Sequence, residues 1–150
     1  MMLELRRAVA ADAAAVRALT RAAYAKWVPL IGREPRPMGA DQEAAIRDHR
    51  VDLAIVDGHV AGSIETIRWP GYLWIENVAV DPAFQGRGIG RALLAHAEKL
   101  AAELGVRTLR LLTNQKFAAN IDLYLRLGYR VDREEVLPIG VAVHMSKPIA

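Results

Sequence analysis

The 150-residue sequence contains no cysteine, and its only two serines are Ser63 and Ser146. The absence of cysteine excludes a disulfide framework, a thiolate metal site and a cysteine nucleophile, and it is compatible with a reducing compartment. Neither serine lies in the strand–turn–helix setting of a nucleophile elbow. The four histidines show no metal-ligand spacing, so we expect no bound metal. Covalent catalysis therefore has no evident nucleophile in this chain.

Long apolar runs are also absent. No run approaches the roughly 20 residues of a membrane-spanning helix, and the N-terminal residues lack the apolar core of a signal peptide. Hydrophobic residues make up 53% of the chain, which is enough for a substantial core. We therefore expect a single cytoplasmic domain over residues 1–150 with no membrane partner. The net charge of +3 comes from scattered basic residues rather than a stripe, so we expect no nucleic-acid partner.

The most informative segment runs from Leu73 to Arg91. An apolar run is followed by Asp81-Pro82, and three glycines then occur within five positions before a strongly helical sequence begins. This pattern predicts a strand, a glycine-rich turn and a helix N-terminus. Such a turn presents several backbone N–H groups in one direction, and the helix dipole adds partial positive charge, so the segment predicts a phosphate site. Arg87 and Arg91 would strengthen that site.

Known phosphate-binding turns differ in the residues that they need. A Walker loop needs a lysine after the glycines, and none is present. A dinucleotide-binding fold needs G-x-G-x-x-G and an acidic residue at the end of the next strand, whereas this turn is G-x-G-x-G and the next strand ends in Thr113-Asn114. The pattern that remains is [RQ]-x-x-G-x-[GA], met by Gln85, Gly88 and Gly90. A glycine-rich capping loop without a ligand is the structural alternative.

The rest of the chain predicts alternating strands and helices. The Asp57-Gly58 pair supplies the positive φ angles of a type I′ hairpin turn. Three prolines and two glycines between Pro29 and Gly39 predict a break in the helix and an irregular loop. The predicted elements are a strand at 2–9, a helix after residue 12, a helix near 41–48, strands at 51–56, from 60 and at 73–80, a helix ending at Gly105, a strand at 108–113, a helix at 117–127, and strands at 129–137 and 141–147.

The turn Gln85–Gly90 and the segment Asn120–Tyr129 resemble the two motifs of the GNAT superfamily of N-acetyltransferases. The second segment matches that superfamily's pattern L-Y-x-x-x-G-[FY] at Leu123, Tyr124, Gly128 and Tyr129. The predicted order β-α-α-β-β-β-α-β-α-β-β matches it as well, over nearly the whole chain. The resemblance implies an α/β fold, with a mixed, mostly antiparallel sheet of about seven strands and helices on both faces.

The resemblance also implies acetyl-CoA as co-substrate and an amine as acceptor. Tyr124 would protonate the departing thiolate of the coenzyme. The superfamily usually has an asparagine seven residues before this tyrosine, but Phe117 stands there, so Asn120 is the expected substitute, with Asn114 as the other candidate. Coenzyme contacts are implied for the main chain of Val78, Ala79 and Val80, where one N–H would polarise the thioester carbonyl, and for Gln85, Gly86, Arg87, Gly88, Ile89, Gly90 and Arg91.

Glu76 interrupts an apolar strand that we expect to be covered on both faces. Burial would raise the pKa of this carboxyl and make it a base, or an anchor, for an ammonium substrate. The structural alternative is a carboxylate satisfied by a neighbouring strand or by Arg110. Because loops beside a rigid scaffold carry specificity, the acceptor site should use the segment that follows the first helix. The expected acceptor-site residues there are Tyr24, Trp27, Arg33 and Arg36.

These features predict an acetyl-CoA-dependent N-acetyltransferase in which a primary amine attacks the thioester directly in a ternary complex. An acyl-CoA-binding regulatory module on the same fold is the alternative, and it would need the glycine turn but neither Tyr124 nor Glu76. The sequence does not specify the amine. It also leaves the oligomeric state open, and a homodimer is compatible with it.

Overall fold

One seven-stranded mixed sheet organises residues 2–149, the part of the chain that the computed structural model describes. The strands are β1 (Leu3–Arg7), β2 (Arg50–Val56), β3 (His59–Trp69), β4 (Tyr72–Val80), β5 (Thr108–Asn114), β6 (Arg130–Leu137) and β7 (Gly140–Pro148). The helices are α1 (Ala13–Tyr24), α2 (Val28–Ile31), α3 (Gln42–Asp48), α4 (Ile89–Glu103) and α5 (Ala118–Arg126). Their order confirms the predicted α/β architecture. Within this part of the chain, no helix has both the length and the apolar character needed to cross a bilayer.

The strand order in the sheet is β1-β2-β3-β4-β5-β7-β6. Every neighbouring pair is antiparallel except β4 and β5, which are parallel and joined through α4. The register of this parallel pair holds only Leu73 with Leu109 and Trp74 with Arg110. Beyond Trp74 the two strands separate. The centre of the sheet is therefore open toward the C-terminal end of β4.

Helices cover both faces of the sheet, as the resemblance implied. On one face, α1 and α3 bury Val16 and Ala45 against Val51 and Leu53 of β2. On the other face, the apolar side of α4 packs against β2 to β5 and β7, with Leu93 fully buried. The residues that α4 buries follow its helical period, which places its charged side chains in solvent. The core is thus divided by the sheet into two layers.

Two turn regions test the local predictions. Asp57 and Gly58 have φ angles of 50° and 83°, and Val56 pairs with His59, so the two-residue hairpin turn is confirmed. The expectation of a wholly irregular loop between Pro29 and Gly39 is wrong at both ends. Residues 28–31 form one turn of helix that tolerates Pro29 in its first turn, where no N–H partner is needed, and residues 36–39 form a 3₁₀ turn.

Candidate active site

The separation of β4 from β5 creates a groove of about 400 Å³ on the side of the sheet where α4 begins. Its lining combines the end of β4, the glycine-rich turn and α5. The residues that line it are Ala23, Tyr24, Lys26, Trp27, Val78, Ala79, Val80, Phe84, Gln85, Gly86, Gly88, Ile89, Gly90, Arg91, Leu94, Asn120, Leu123 and Tyr124. Five residues of the Gln85–Gly90 turn and three of the Asn120–Tyr129 segment therefore meet in one groove, although the two segments lie far apart in the sequence.

The glycine-rich turn leaves its backbone bare toward this groove. Gly86 and Gly88 both have φ of 78°, a left-handed conformation that favours glycine. A Cβ built on either residue would meet nothing within 4 Å, so the space beside the turn is open. Gly88 is also the N-cap of α4, which leaves the first N–H groups of that helix without helical partners. This is the geometry of a phosphate site.

Side chains around the turn divide into those that face the groove and those that do not. Gln85 and Arg91 are exposed and line the groove. Ile89 is buried in the core, so only its main chain is available to a ligand. The Arg87 guanidinium lies 5.2 Å from the centre of the Phe84 ring and is not part of the groove lining. The turn thus depends on main-chain groups, with Arg91 as the cation beside them.

The end of β4 presents main-chain groups to the groove in alternation. The N–H of Asp81 donates to the carbonyl oxygen of Ala61 in β3 at 2.8 Å, so the main-chain N–H of Asp81 points toward β3. Because main-chain direction alternates along a strand, Ala79 also faces β3, whereas Val78 and Val80 face the opening toward β5. Of the three strand residues singled out from sequence, two therefore direct their main-chain groups toward the opening. The side chain of Ala79 packs against Leu19 and Ala23.

Tyr124 stands where the groove opens into a larger cavity. Its ring is half-buried and lies 5.6 Å from the ring of Tyr129, centre to centre. Burial raises the pKa of Tyr124 to about 12. No hydrogen bond holds its hydroxyl within residues 2–149, so the proton remains available to a ligand. Asn120, one helical turn earlier, lines the same opening.

Asn114 and Phe117 have structural roles next to this site. The Asn114 side-chain oxygen accepts a hydrogen bond from the N–H of Lys116 at 2.9 Å, and Asn114 lines the larger cavity rather than the groove. Of the two asparagines, only Asn120 lines the groove as well as the larger cavity. Phe117 is buried and stacks on Trp27 with ring centres 4.5 Å apart.

The larger cavity, of about 730 Å³, lies on the face of the sheet covered by α1 and α3. Tyr24, Val78, Asn120 and Tyr124 line both the cavity and the groove, so the two spaces meet at these residues. The charged or titratable groups of its lining are Arg33, Arg36, Asp41, Asp48, His49, Glu65 and Glu76, besides the phenols of Tyr24 and Tyr124. Four carboxylates thus face two guanidinium groups and one imidazole. We call this space the acceptor cavity.

The structure corrects the expected burial of Glu76. This residue is exposed, and its carboxylate accepts a hydrogen bond from the indole N–H of Trp74 at 2.7 Å. The cause is a β-bulge: Ile75 pairs with Thr66 and Asn77 pairs with Glu65, which leaves Glu76 between them. The bulge turns Glu76 toward the acceptor cavity instead of the covered core. Arg110, which we considered from the sequence as a partner of Glu76, has its guanidinium over the Tyr72 ring, 4.8 Å from the ring centre.

Asn77 follows this bulge and lines the acceptor cavity, and we assigned it no function from the sequence. The Tyr24 hydroxyl donates to the side-chain oxygen of Asn77 at 2.6 Å and lies 3.5 Å from the carbonyl oxygen of Val78. Burial, and to a smaller extent the nearby phenol of Tyr124, raise the pKa of Tyr24 well above its ordinary value. Tyr24 is therefore a neutral hydrogen-bond donor at the point where groove and cavity meet.

Two further residues of the cavity, His49 and Glu65, were given no functional role from the sequence. His49 Nδ1 lies 2.7 Å from the Glu65 carboxylate, and both residues line the acceptor cavity. The two residues are sixteen positions apart in the sequence, and only the β2–β3 register reveals that they are neighbours. Val51 is opposite Glu65, and His49 lies two residues before Val51, on the same face.

The expected acceptor-site residues are only partly brought together. Arg33 and Arg36 line the acceptor cavity, and Tyr24 stands at its junction with the groove. Trp27 is the exception, because its stack on Phe117 places it on the groove and outside the acceptor-cavity lining. The position of Trp27 in the sequence did not indicate whether its side chain would face the groove or the acceptor cavity.

Comparison with known proteins identifies relatives of this chain. Streptothricin acetyltransferase of Streptomyces lavendulae is 34% identical over 108 residues, which are 67% of this chain and 57% of that protein. The ribosomal protein bS18-alanine N-acetyltransferase of Escherichia coli strain K12 is 47% identical over 53 residues, or 35% of this chain and 36% of that protein. The chain therefore spans little more than half of the first curated relative and about a third of the second.

A solved structure extends the likeness to the entire fold. PaiA N-acetyltransferase from Thermoplasma acidophilum, in complex with coenzyme A, superposes with a TM-score of 0.84 at 20% identity over 99% of each chain. A family model described as the acetyltransferase (GNAT) family matches residues 15–129. That match covers more than half of the sequence and includes the glycine turn and the Tyr124 segment, so the chain belongs to the acetyltransferase (GNAT) family.

Proposed function

We propose that this chain, as one catalytic domain, transfers the acetyl group of acetyl-CoA to a primary amine by direct attack in a ternary complex. The observation that carries the proposal is the meeting of the groove and the acceptor cavity at Tyr24, Val78, Asn120 and Tyr124. A thioester entering along the groove and an amine entering from the cavity would come into contact there. Such positioning replaces a bimolecular encounter with a reaction between held partners.

The coenzyme would be held mostly by main-chain groups. Its phosphates would accept hydrogen bonds from the turn around Gly86 and Gly88, with Arg91 adding positive charge. The pantetheine arm would lie along β4, bonded to the groove-facing main chain of Val78 and Val80 and to the side chain of Asn120. These contacts would bring the thioester to the junction between the groove and the cavity.

At the junction, attack by the amine nitrogen on the thioester carbon would generate an oxyanion. A groove-facing N–H of Val78 or Val80 would donate a hydrogen bond to it. Collapse of the tetrahedral intermediate breaks the C–S bond and releases the coenzyme thiolate. Tyr124 would donate a hydrogen bond to that sulfur, because its pKa of about 12 keeps the phenol protonated at neutral pH. The same high pKa favours hydrogen bonding over complete proton transfer.

The charge of the acceptor cavity favours a cationic amine. Its four carboxylates, of which Asp48 is paired with Arg47 outside the lining, outnumber its two guanidinium groups, and Glu76 is an exposed carboxylate of the cavity wall. We assign Glu76 as an anchor for a positively charged acceptor. The names of the two relatives identify streptothricin and the alanine of a ribosomal protein as amines used by those proteins, and both classes belong among the candidates for this chain.

The test is thiol release from acetyl-CoA in the presence of an amine panel. The panel contains streptothricin, a peptide with an N-terminal alanine, and the pair 1,5-diaminopentane and 5-aminopentanoate. The last two have equal chain length and differ in the sign of the second charge. We expect transfer to at least one amine and a preference for the diamine over the amino acid. Tight acetyl-CoA binding without transfer to any amine would instead support an acyl-CoA-binding regulatory module.

A further inference from the structure

We infer that His49, held by Glu65, is the general base that removes a proton from the acceptor ammonium in the acceptor cavity. The inference rests on the proposed function, since it assigns a further residue to that reaction. An amine that is positively charged at neutral pH has no lone pair for attack. A cavity that attracts cations therefore needs a group that accepts a proton.

The two side chains form a fixed pair on the cavity wall. His49 Nδ1 and Glu65 Oε2 are 2.7 Å apart, and the Glu65 side chain is 13% exposed while that of His49 is 36% exposed. The His49 main-chain N–H donates to the carbonyl oxygen of Ala45 at 2.9 Å, which fixes the backbone of His49 at the end of α3. Glu65 is on β3, so one member of the pair is held by the end of α3 and the other by a strand of the sheet.

The hydrogen bond also selects the tautomer of the ring. The Glu65 carboxylate accepts from Nδ1–H, so in the neutral imidazole the lone pair is on Nε2. Within residues 2–149 no hydrogen bond engages Nε2, which leaves it free to accept a proton. When it does, the sheltered carboxylate stabilises the imidazolium. This is the arrangement by which a carboxylate supports a histidine base.

The pair lines the same cavity as the four residues at the junction. Glu65 is opposite Asn77 across β3 and β4, on the same face of the sheet. Asn77 accepts the hydrogen bond of Tyr24, and the following residue, Val78, borders the groove. For an acceptor that occupies this cavity, His49 would take the proton directly or through one water molecule, both of which suit general base catalysis.

The protons and bonds balance over the reaction. His49 Nε2 takes one proton from the ammonium, and the neutral amine forms the new N–C bond as it attacks the thioester. The C–S bond then breaks, and its electron pair leaves with the thiolate. The nitrogen loses its second proton, which neutralises the thiolate with the help of Tyr124, and the imidazolium returns its proton to solvent. One ammonium and one thioester thus give one amide, one thiol and one released proton.

Other charged groups surround the imidazole and will contribute to any pH profile. They are Asp48 on α3, Asp41 at the N-cap of α3, Arg33 and Arg36 on the preceding segment, Glu76 on β4, and Glu65 itself, with the phenol of Tyr24 on α1. The carboxylates favour the imidazolium and the guanidinium groups oppose it. The test therefore compares profiles between variants and does not depend on the midpoint of any one profile.

A matched control exists in the same chain. His144 Nε2 lies 2.9 Å from Glu135 on the β6–β7 hairpin, and neither residue lines the acceptor cavity or the groove. The experiment measures kcat and KM by thiol release from pH 6 to 9.5 for the parent enzyme, His49→Gln, Glu65→Gln and His144→Gln. Circular dichroism and acetyl-CoA affinity verify folding. A second acceptor, fluorinated beside the amine and thus neutral at pH 7, is run in parallel.

We expect His49→Gln to lower kcat/KM by about 10²-fold at pH 7, with a deficit that shrinks toward high pH and nearly vanishes for the fluorinated acceptor. Glu65→Gln keeps an oxygen for Nδ1–H and should show a smaller deficit in kcat/KM with the same pH trend. If His49→Gln does not fold, Glu65→Gln is the variant that tests the inference. His144→Gln should match the parent. A deficit independent of pH and acceptor, or one no larger than in His144→Gln, overturns the inference while leaving the proposed function intact. Absence of transfer by the parent overturns both.

Discussion

Replacement of Gly88 by alanine is the sharpest test of the phosphate site, because the chain supplies a matched control at Gly105. Gly88 has φ of 78° and Gly105 has φ of 75°, and at both positions an added Cβ meets nothing within 4 Å. In each case alanine must adopt a left-handed conformation, at a cost of about 1–2 kcal/mol. For a domain of this size that cost lowers Tm by about 2–8 °C, and it should be similar in the two variants.

Only Gly88 adds a second effect. Its Cβ would project into the groove beside the bare N–H groups that we assign to the coenzyme phosphates, whereas Gly105 follows the C-terminal end of α4 and does not line the groove. We therefore expect the Kd for acetyl-CoA to rise at least tenfold in Gly88→Ala, a loss of about 1.4 kcal/mol or more, and to remain at the parent value in Gly105→Ala.

Isothermal titration calorimetry with acetyl-CoA, together with thermal melting of each variant, measures both quantities. Equal Tm losses with a selective loss of affinity in Gly88→Ala would support the phosphate assignment. If both variants kept the parent affinity, the turn would be a capping loop and the coenzyme would have to bind elsewhere. If both lost affinity, backbone strain rather than the added Cβ would be the cause.

Three other substitutions or conditions give separate tests. Tyr124→Phe keeps the ring and should lower the single-turnover rate by about 10²-fold with an unchanged acetyl-CoA Kd; an unchanged rate would make Tyr124 a packing residue. Glu76→Gln should lower kcat/KM for 1,5-diaminopentane more than for 5-aminopentanoate, and equal losses would rule out the anchor role. Burial raises the pKa of Tyr24 and Tyr124 above the unfolded value of about 10, so the folded state retains protons that the unfolded state loses. Stability in denaturant titrations should therefore be intact below about pH 10 and decline toward pH 12, less steeply in Tyr124→Phe.

The sequence by itself determined the order of the elements and the two motifs. A type I′ turn needs positive φ angles at both of its central positions, and Asp57 and Gly58 have such angles. The pair therefore specifies the hairpin turn locally. The glycine turn before α4 and the apolar period of that helix are equally local. These features depend on residues within one or two turns of each other, so the chain displays them without any tertiary contact. The family resemblance follows from the same local patterns.

Only the tertiary structure decided which side chains share a space. The apolar residues on both faces of β4 predicted a buried Glu76, but one bulge shifted the register by a residue and turned that side chain to the cavity. The stack of Trp27 on Phe117 joins positions ninety residues apart and placed the indole on the groove. The pairing of His49 with Glu65 depends on the register of β2 and β3. Register and stacking are set by contacts between distant segments, and such contacts leave no period in the sequence.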